Sequence, residues 1–389
     1  MGILLLTSIL IASFSQIFGG YLDALAILTI AGACFLRDGR LRFTTSMFIV
    51  SGLAFTYGMI WTLACSPVTC GPAVLATGRS VWQFAVYLLF FSLLRRHAII
   101  RLTPKVVAVS ILLFFGFLAV NGQFTLLDSL RGLSAQQFFN SYRFGIDNEI
   151  NNVNFVALFC ASLTPFAFPR HTRDILGYTA VLLVALFIIA TYSRSALLLF
   201  GGLSALSGYY LWRFNISQFF VLIVLLIAGY AAILSLGYFE RRAFDFETDS
   251  SIIARMRVFG LLNEFSVLGN KAALSDYFIR RGAVDNTLLR HVVGGGLLVL
   301  LLVAALGPAI GRSFKQWSGN VQHTREALAL FGWLVAIIFD DTFFTLWGAF
   351  LIGNFVVPMV AVGTKRPNFM DPRKAFSERR KIARLNSVP

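Results

Sequence analysis

Apolar runs separated by short polar connections make up most of this chain. Each run of about 17 to 25 apolar residues is long enough to cross a hydrocarbon layer as a helix. Twelve are counted, near 2 to 18, 20 to 36, 43 to 64, 73 to 94, 105 to 121, 153 to 169, 175 to 192, 195 to 212, 216 to 237, 286 to 310, 326 to 343 and 345 to 363. The expected fold is therefore an all-α polytopic membrane protein, one integral domain over 1–389. Two longer polar loops interrupt it, 122–152 and 238–285, and a basic tail covers 364–389. The first run, Gly2 to Phe18, has no basic stretch before it and no small-residue cleavage site after it, so it reads as a retained helix and not a signal peptide.

Composition agrees with the pattern: 57% of the 389 residues are hydrophobic and 13% charged, at a mean hydropathy of +0.76, outside the soluble globular range. The net charge of +15 follows the connections. With the N-terminus inside, each connection on that side is basic (RDGRLR, RRHAIIR, PRHTRD, WRFN, GRSFKQWSGNVQHTRE and the tail), as the positive-inside rule requires. No basic stripe lies on a soluble domain, so nucleic acid is not an expected partner. Both termini are expected in the cytoplasm.

The remaining basic residues lie on the outer side: Arg79, Arg131, Arg143, Arg194, Arg241, Arg242, Arg255, Arg257, Lys271, Arg280, Arg281 and Arg290. All but one are arginine, whose planar fork suits bidentate contact with phosphate oxygens. A phosphate-bearing ligand is one explanation for the group; pairing with Asp245, Glu247, Asp249, Glu264, Asp276 and lipid headgroups is the other. Arg194, in the turn Tyr192-Ser193-Arg194-Ser195, sits where a guanidinium costs about 2.5 to 3.5 kcal/mol at the bilayer centre and much less at the interface. It either has a partner or snorkels. From Ser251 to Gly269 apolar residues recur at helical spacing, predicting a surface helix with Arg255 and Arg257 at headgroup depth.

Where the large loop re-enters the membrane, Asp285 can accept a proton, Asn286 can orient an acceptor, and Gly294 to Gly296 allow close helix approach or an opened turn. His291 is the one histidine on the outer side and is either a base or a hydrogen-bonded structural residue. Asn151, in the row Asp147 to Asn154, and Asp341, beside Asp340, are of the type that holds sugars; helix capping and charge balance are the alternatives. Cys65 and Cys70 flank a Ser-Pro-Val-Thr turn on the expected oxidising side, so they form either a small disulfide or two thiols. No metal-ligand spacing and no phosphate-cradling Gly-Lys-Ser/Thr loop is present, so neither a metal nor any other cofactor is expected.

The order of spans, the Ser-Arg-Ser turn after the seventh, and the large loop before the tenth resemble the O-antigen ligase and polymerase family of bacterial inner-membrane glycosyltransferases. That family's loop reads R-x-x-x-W, then P-x-x-G-x-G, then H-N-x-x-L-x-x-L-x-x-x-G. Arg255 followed by Phe259 is similar to the first, and Ser266-Val267-Leu268-Gly269 to the second. Asp285-Asn286 with Leu289, Val292 and Gly295 is similar to the third. The ligase histidine is Asp285 here, which looks more like the polymerases. The resemblance implies transfer of glycan from undecaprenyl diphosphate to a second lipid-linked repeat unit, at the periplasmic face and without a metal. Arg194 and Arg255 would stabilise the leaving diphosphate and Asp285 or His291 would take the acceptor proton. Arg257, Arg281, Asn286, Arg143, Asn151 and Asp341 would hold substrate, and a chain-length regulator protein is an implied partner. A ligase to lipid A core is the alternative enzyme. A polyprenyl-glycan flippase or ion-coupled transporter is the alternative from another class, and it expects charges inside the spans.

Overall fold

A chain this apolar must satisfy its backbone hydrogen bonds within itself, and in the computed structural model every regular element among the described residues is a helix. The structure describes residues 2–14, 19–65, 70–97, 102–120, 153–169, 173–190, 193–212, 220, 224, 227, 259–281, 286–315, 321–339 and 344–360.

The helices are α1 (Gly2–Phe14), α2 (Gly19–Asp38), α3 (Thr45–Leu63), α4 (Pro72–Arg96), α5 (Pro104–Val120), α6 (Val153–Ala167), α7 (Ile175–Ala190) and α8 (Arg194–Trp212). They continue with α9 (Lys271–Arg281), α10 (Thr287–Gly295), α11 (Leu297–Lys315), α12 (Val321–Phe339) and α13 (Leu346–Leu351). Four described stretches have the length and apolar character to cross a membrane: Thr45–Leu63, Val74–Arg96, Ser195–Trp212 and Leu297–Lys315. Helix α3 turns Phe48, Ile49, Phe55 and Leu63 outward while burying Val50, Ala54, Tyr57 and Trp61. Apolar residues all round are what a helix between protein and lipid requires.

Local chemistry sets the boundaries. Thr44 caps α3, its hydroxyl accepting from the Met47 N–H at 3.4 Å, and Pro72 opens α4 at a position where its missing N–H is no loss. Helix α13 widens into a π turn at Ile352–Val356 before a 3-10 turn at Val357–Met359. Pro358 has no N–H for the Asn354 carbonyl, which accounts for the irregular ladder there. Gly353 in that turn lies against Ser92 and Phe91 of α4.

Helices α2, α3, α4, α11 and α13 pack on one side of the bundle and α5, α6, α7, α8 and α12 on the other, with α1 packed against both α2 and α5. Trp347 of α13 joins the halves, donating from its indole N–H to Ser162 Oγ of α6 at 3.2 Å and meeting Phe159 edge-on at 4.4 Å. At one end of the bundle the His97 imidazole, after α4, lies 2.7 Å from Asp38 at the end of α2, and its Nε2 accepts the Arg42 N–H at 3.1 Å. At the same end Arg95 meets Glu326 at 3.6 Å, and Gln322 donates to the Leu102 carbonyl at 2.8 Å. Arg325 is completely buried there, its Nη1 donating to the carbonyls of Pro165, Phe166 and Phe168 at 2.8, 2.9 and 2.8 Å, the C-terminal end of α6. Its charge lies against the negative end of that helix.

The opposite end of the α3–α4 hairpin carries a disulfide between Cys65 and Cys70, whose Cα atoms are 5.4 Å apart. That resolves the two readings of these cysteines in favour of the bond. Cys34 and Cys160 are buried free thiols.

Candidate functional site

The large polar loop returns to the bundle at the disulfide end. Its described part, 259–281, begins with a 3-10 turn, Phe259–Glu264; the surface helix expected through Gly269 does not extend over these residues, because the chain after Glu264 bends to meet the break between α10 and α11. The Asn270 N–H donates to the Val293 carbonyl at 2.7 Å, and the Leu297 N–H donates to the Val267 carbonyl at 2.9 Å. Loop and helix break are thus tied by two backbone bonds.

Glycine makes this approach feasible. Gly296 has φ +59° and ψ −137°, a conformation open to glycine and strained for other residues. It ends α10, so the single span expected over 286 to 310 is two helices joined at this residue. Gly269 also has a positive φ, +83°, and lies against the Gly294 carbonyl, while Gly294 and Gly295 present bare backbone to Trp61 and Tyr57 respectively.

Helix α9 is capped by Asn270, whose side chain accepts from the Ala273 N–H at 3.0 Å. It is docked on α4 through Ser275, whose Oγ accepts the Gly71 N–H at 3.0 Å. Its first residue, Lys271, carries its ammonium 5.5 Å from the centroid of the Trp61 indole, within range of a cation–π contact. Burial lowers the pKa of that ammonium from its usual 10.5, since partial removal from water disfavours the charged form.

Asn286 caps α10: its Oδ1 accepts the Leu289 N–H at 3.0 Å, so that oxygen is used in holding the helix start. One turn on, His291 is buried, and its Nδ1 lies 3.0 Å from the Tyr57 hydroxyl. Tyr57, Trp61 and Phe344 surround the imidazole, with ring centroids 5.9, 5.4 and 4.2 Å away. The imidazole also lines a small cavity with Leu288, Val299, Leu302, Ile337 and Phe344. Its Nε2 is buried and has no hydrogen-bond partner among the described residues, an unusual state for a buried polar atom and one that marks it for explanation. The contact with Tyr57 commits one ring nitrogen of His291 to a structural bond.

Of the residues expected to form the site, His291 and Asn286 are brought together on α10. Arg194 opens α8 and Arg281 ends α9, with side chains outside the described residues. Arg255, Arg257, Asp285, Arg143, Asn151 and Asp341 lie outside the described residues altogether. Sequence reasoning missed Tyr57, Trp61 and Phe344. The usable signal was the Tyr57–Trp61 pair at i, i+4 near the end of a span, two amphipathic aromatics on one helix face.

The chain was compared with protein-family models, with curated proteins and with solved structures, and none matches it.

Proposed function

We propose that this chain is a polysaccharide polymerase of the bacterial inner membrane, a glycosyltransferase that joins undecaprenyl-diphosphate-linked repeat units at the periplasmic face. In this reading twelve spans place both termini in the cytoplasm. Two observations support that orientation: the disulfide lies at the loop end, as an oxidising compartment favours, and the opposite end holds Asp38, Arg95, His97 and Glu326 in polar contacts.

The observation that carries the reading is the Nε2 of His291, without a partner among the described residues and buried where the arginine-bearing loop docks into the bundle. The acceptor hydroxyl attacks the anomeric carbon of the donor glycan, and its proton passes to a base, His291 or Asp285. The bond from that carbon to the diphosphate oxygen breaks, and the electron pair leaves on undecaprenyl diphosphate. Arg194, Arg255, Arg257 and Arg281 stabilise the charge that develops there, where fixed donors contribute most. The substrate supplies the energy, so neither nucleotide nor metal is invoked.

The test is a gel of surface polysaccharide from a deletion strain complemented with wild type, Arg255→Ala or His291→Gln, with membrane levels matched. Loss of the ladder to single repeat units on the core is expected for Arg255→Ala. Normal ladders from both variants would remove the proposal, and full-length polymer retained on undecaprenyl diphosphate would show a ligase instead. The burial of His291 and Arg325 within the bundle also suits the ion-coupled transporter; that reading predicts repeat units trapped on the cytoplasmic side of the membrane.

A further inference from the structure

The Tyr57 oxygen has two neighbours on one residue: His291 Nδ1 at 3.0 Å and the His291 carbonyl oxygen at 3.4 Å. A phenol carries one proton, and the two ways of placing it are not equivalent. If the phenol donates to Nδ1, its oxygen faces the carbonyl oxygen with no proton between them, and the imidazole hydrogen sits on Nε2 as a buried donor with nothing among the described residues to receive it. If Nδ1–H donates to the phenol, the phenol hydrogen is free for the carbonyl and both contacts are bonds. Nε2 is left unsatisfied either way, as a donor in the first arrangement and as a lone pair in the second, but only the second pairs every proton and turns the contact between the two oxygens into a bond.

The geometry points to Tyr57 as the positioning residue that sets the tautomer of His291, holding the hydrogen on Nδ1 and leaving Nε2 as a bare acceptor on the side of the ring away from the phenol. Gly295 makes this possible, because a side chain there would occupy the place of the Tyr57 hydroxyl. Phe344, 4.2 Å from the imidazole between centroids, and Trp61 fix the ring plane. The phenol also serves the next step. When Nε2 takes a proton from an acceptor hydroxyl, the positive charge is shared with Nδ1–H, which already donates to Tyr57 and needs no rearrangement. Its catalytic meaning rests on the reading of His291 as the proton acceptor; the tautomer itself does not.

The experiment keeps the two apart. The full-length chain, labelled with 15N-histidine and reconstituted in lipid bilayers, is examined by solid-state NMR, with the His291 signals found by difference from His291→Gln. A protonated Nδ1 and an unprotonated Nε2 are expected in the wild type, and a shift toward protonated Nε2 in Tyr57→Phe. A wild-type spectrum with the hydrogen on Nε2, or a Tyr57→Phe spectrum identical to wild type, overturns the assignment. In complemented cells at equal membrane level, Tyr57→Phe lowers the polymerisation rate about 10- to 100-fold, the worth of one hydrogen bond to a group gaining charge. The expected spectra without that rate loss would leave the tautomer standing and dismiss His291 as the base.

Discussion

Replacing Gly296 with alanine tests whether the loop and the α10–α11 break form one unit. The residue holds φ +59° and ψ −137°, where a non-glycine backbone costs about 1–3 kcal/mol. A Cβ at this position would stand 2.6 Å from the Ser266 carbonyl oxygen and closer still to the Val267 oxygen and the Gly269 nitrogen. These are backbone atoms held by the Leu297-to-Val267 bond, so relief requires the loop to move; overpacking of this kind adds about 1–3 kcal/mol. The expected destabilisation is about 2–6 kcal/mol. Gly307→Ala and Gly311→Ala on α11 are the comparators, since a Cβ at either meets nothing within 4 Å. There alanine gains about 1 kcal/mol of helix propensity. Thermal unfolding in detergent, read by size-exclusion chromatography after heating, should place Gly296→Ala at least about 4 °C below wild type, taking about 2 °C per kcal/mol, with both comparators at or above wild type. Equal melting of Gly296→Ala and Gly307→Ala would refute the account of the loop docking.

Three further outcomes follow from other contacts. Because burial lowers the Lys271 pKa below its usual 10.5, the unfolded chain holds this proton more tightly than the folded one. The penalty is complete below the folded pKa and is relieved as pH rises through it toward 10.5, so stability attributable to Lys271 increases with pH. Lys271→Met should flatten that alkaline rise in melting temperature, and an unchanged pH profile would dismiss the buried ammonium. Wild-type protein in membranes should resist maleimide labelling at Cys65 and Cys70 until reduced, and Cys65→Ser should expose Cys70 to label at a loss of about 2 kcal/mol for so short a loop; labelling without reductant would contradict the bond. Arg325→Leu removes the donor to three carbonyls at the end of α6. At about 1–3 kcal/mol for each carbonyl left unsatisfied, its membrane level should fall sharply, and wild-type abundance with wild-type melting would show that the capping contributes little.

The parts of this molecule that sequence reading reached are those written in local pattern. Apolar runs gave helices because a helix pairs its own backbone groups away from water, whereas Asn286, read from sequence as a residue that orients an acceptor, caps α10. What escaped is pairing over long chain separations. Tyr57 meets His291 across 234 residues, and no periodicity in either segment announces the partner. Arg325 was counted among loop charges because the next apolar run begins one residue later; its burial depends on α6, whose open carbonyls lie some 160 residues earlier. The glycine run shows where the two kinds of information meet. Read alone, Gly294 to Gly296 allowed either close helix approach or an opened turn. The structure uses both, dividing them by position: Gly294 and Gly295 admit the aromatic rings of α3, and Gly296 turns the backbone out to receive the loop. Three adjacent glycines therefore bring the imidazole, its phenol and the returning loop into one place. Glycine freedom is costly in a helix, and its concentration at this break agrees with a site whose geometry takes precedence over local stability.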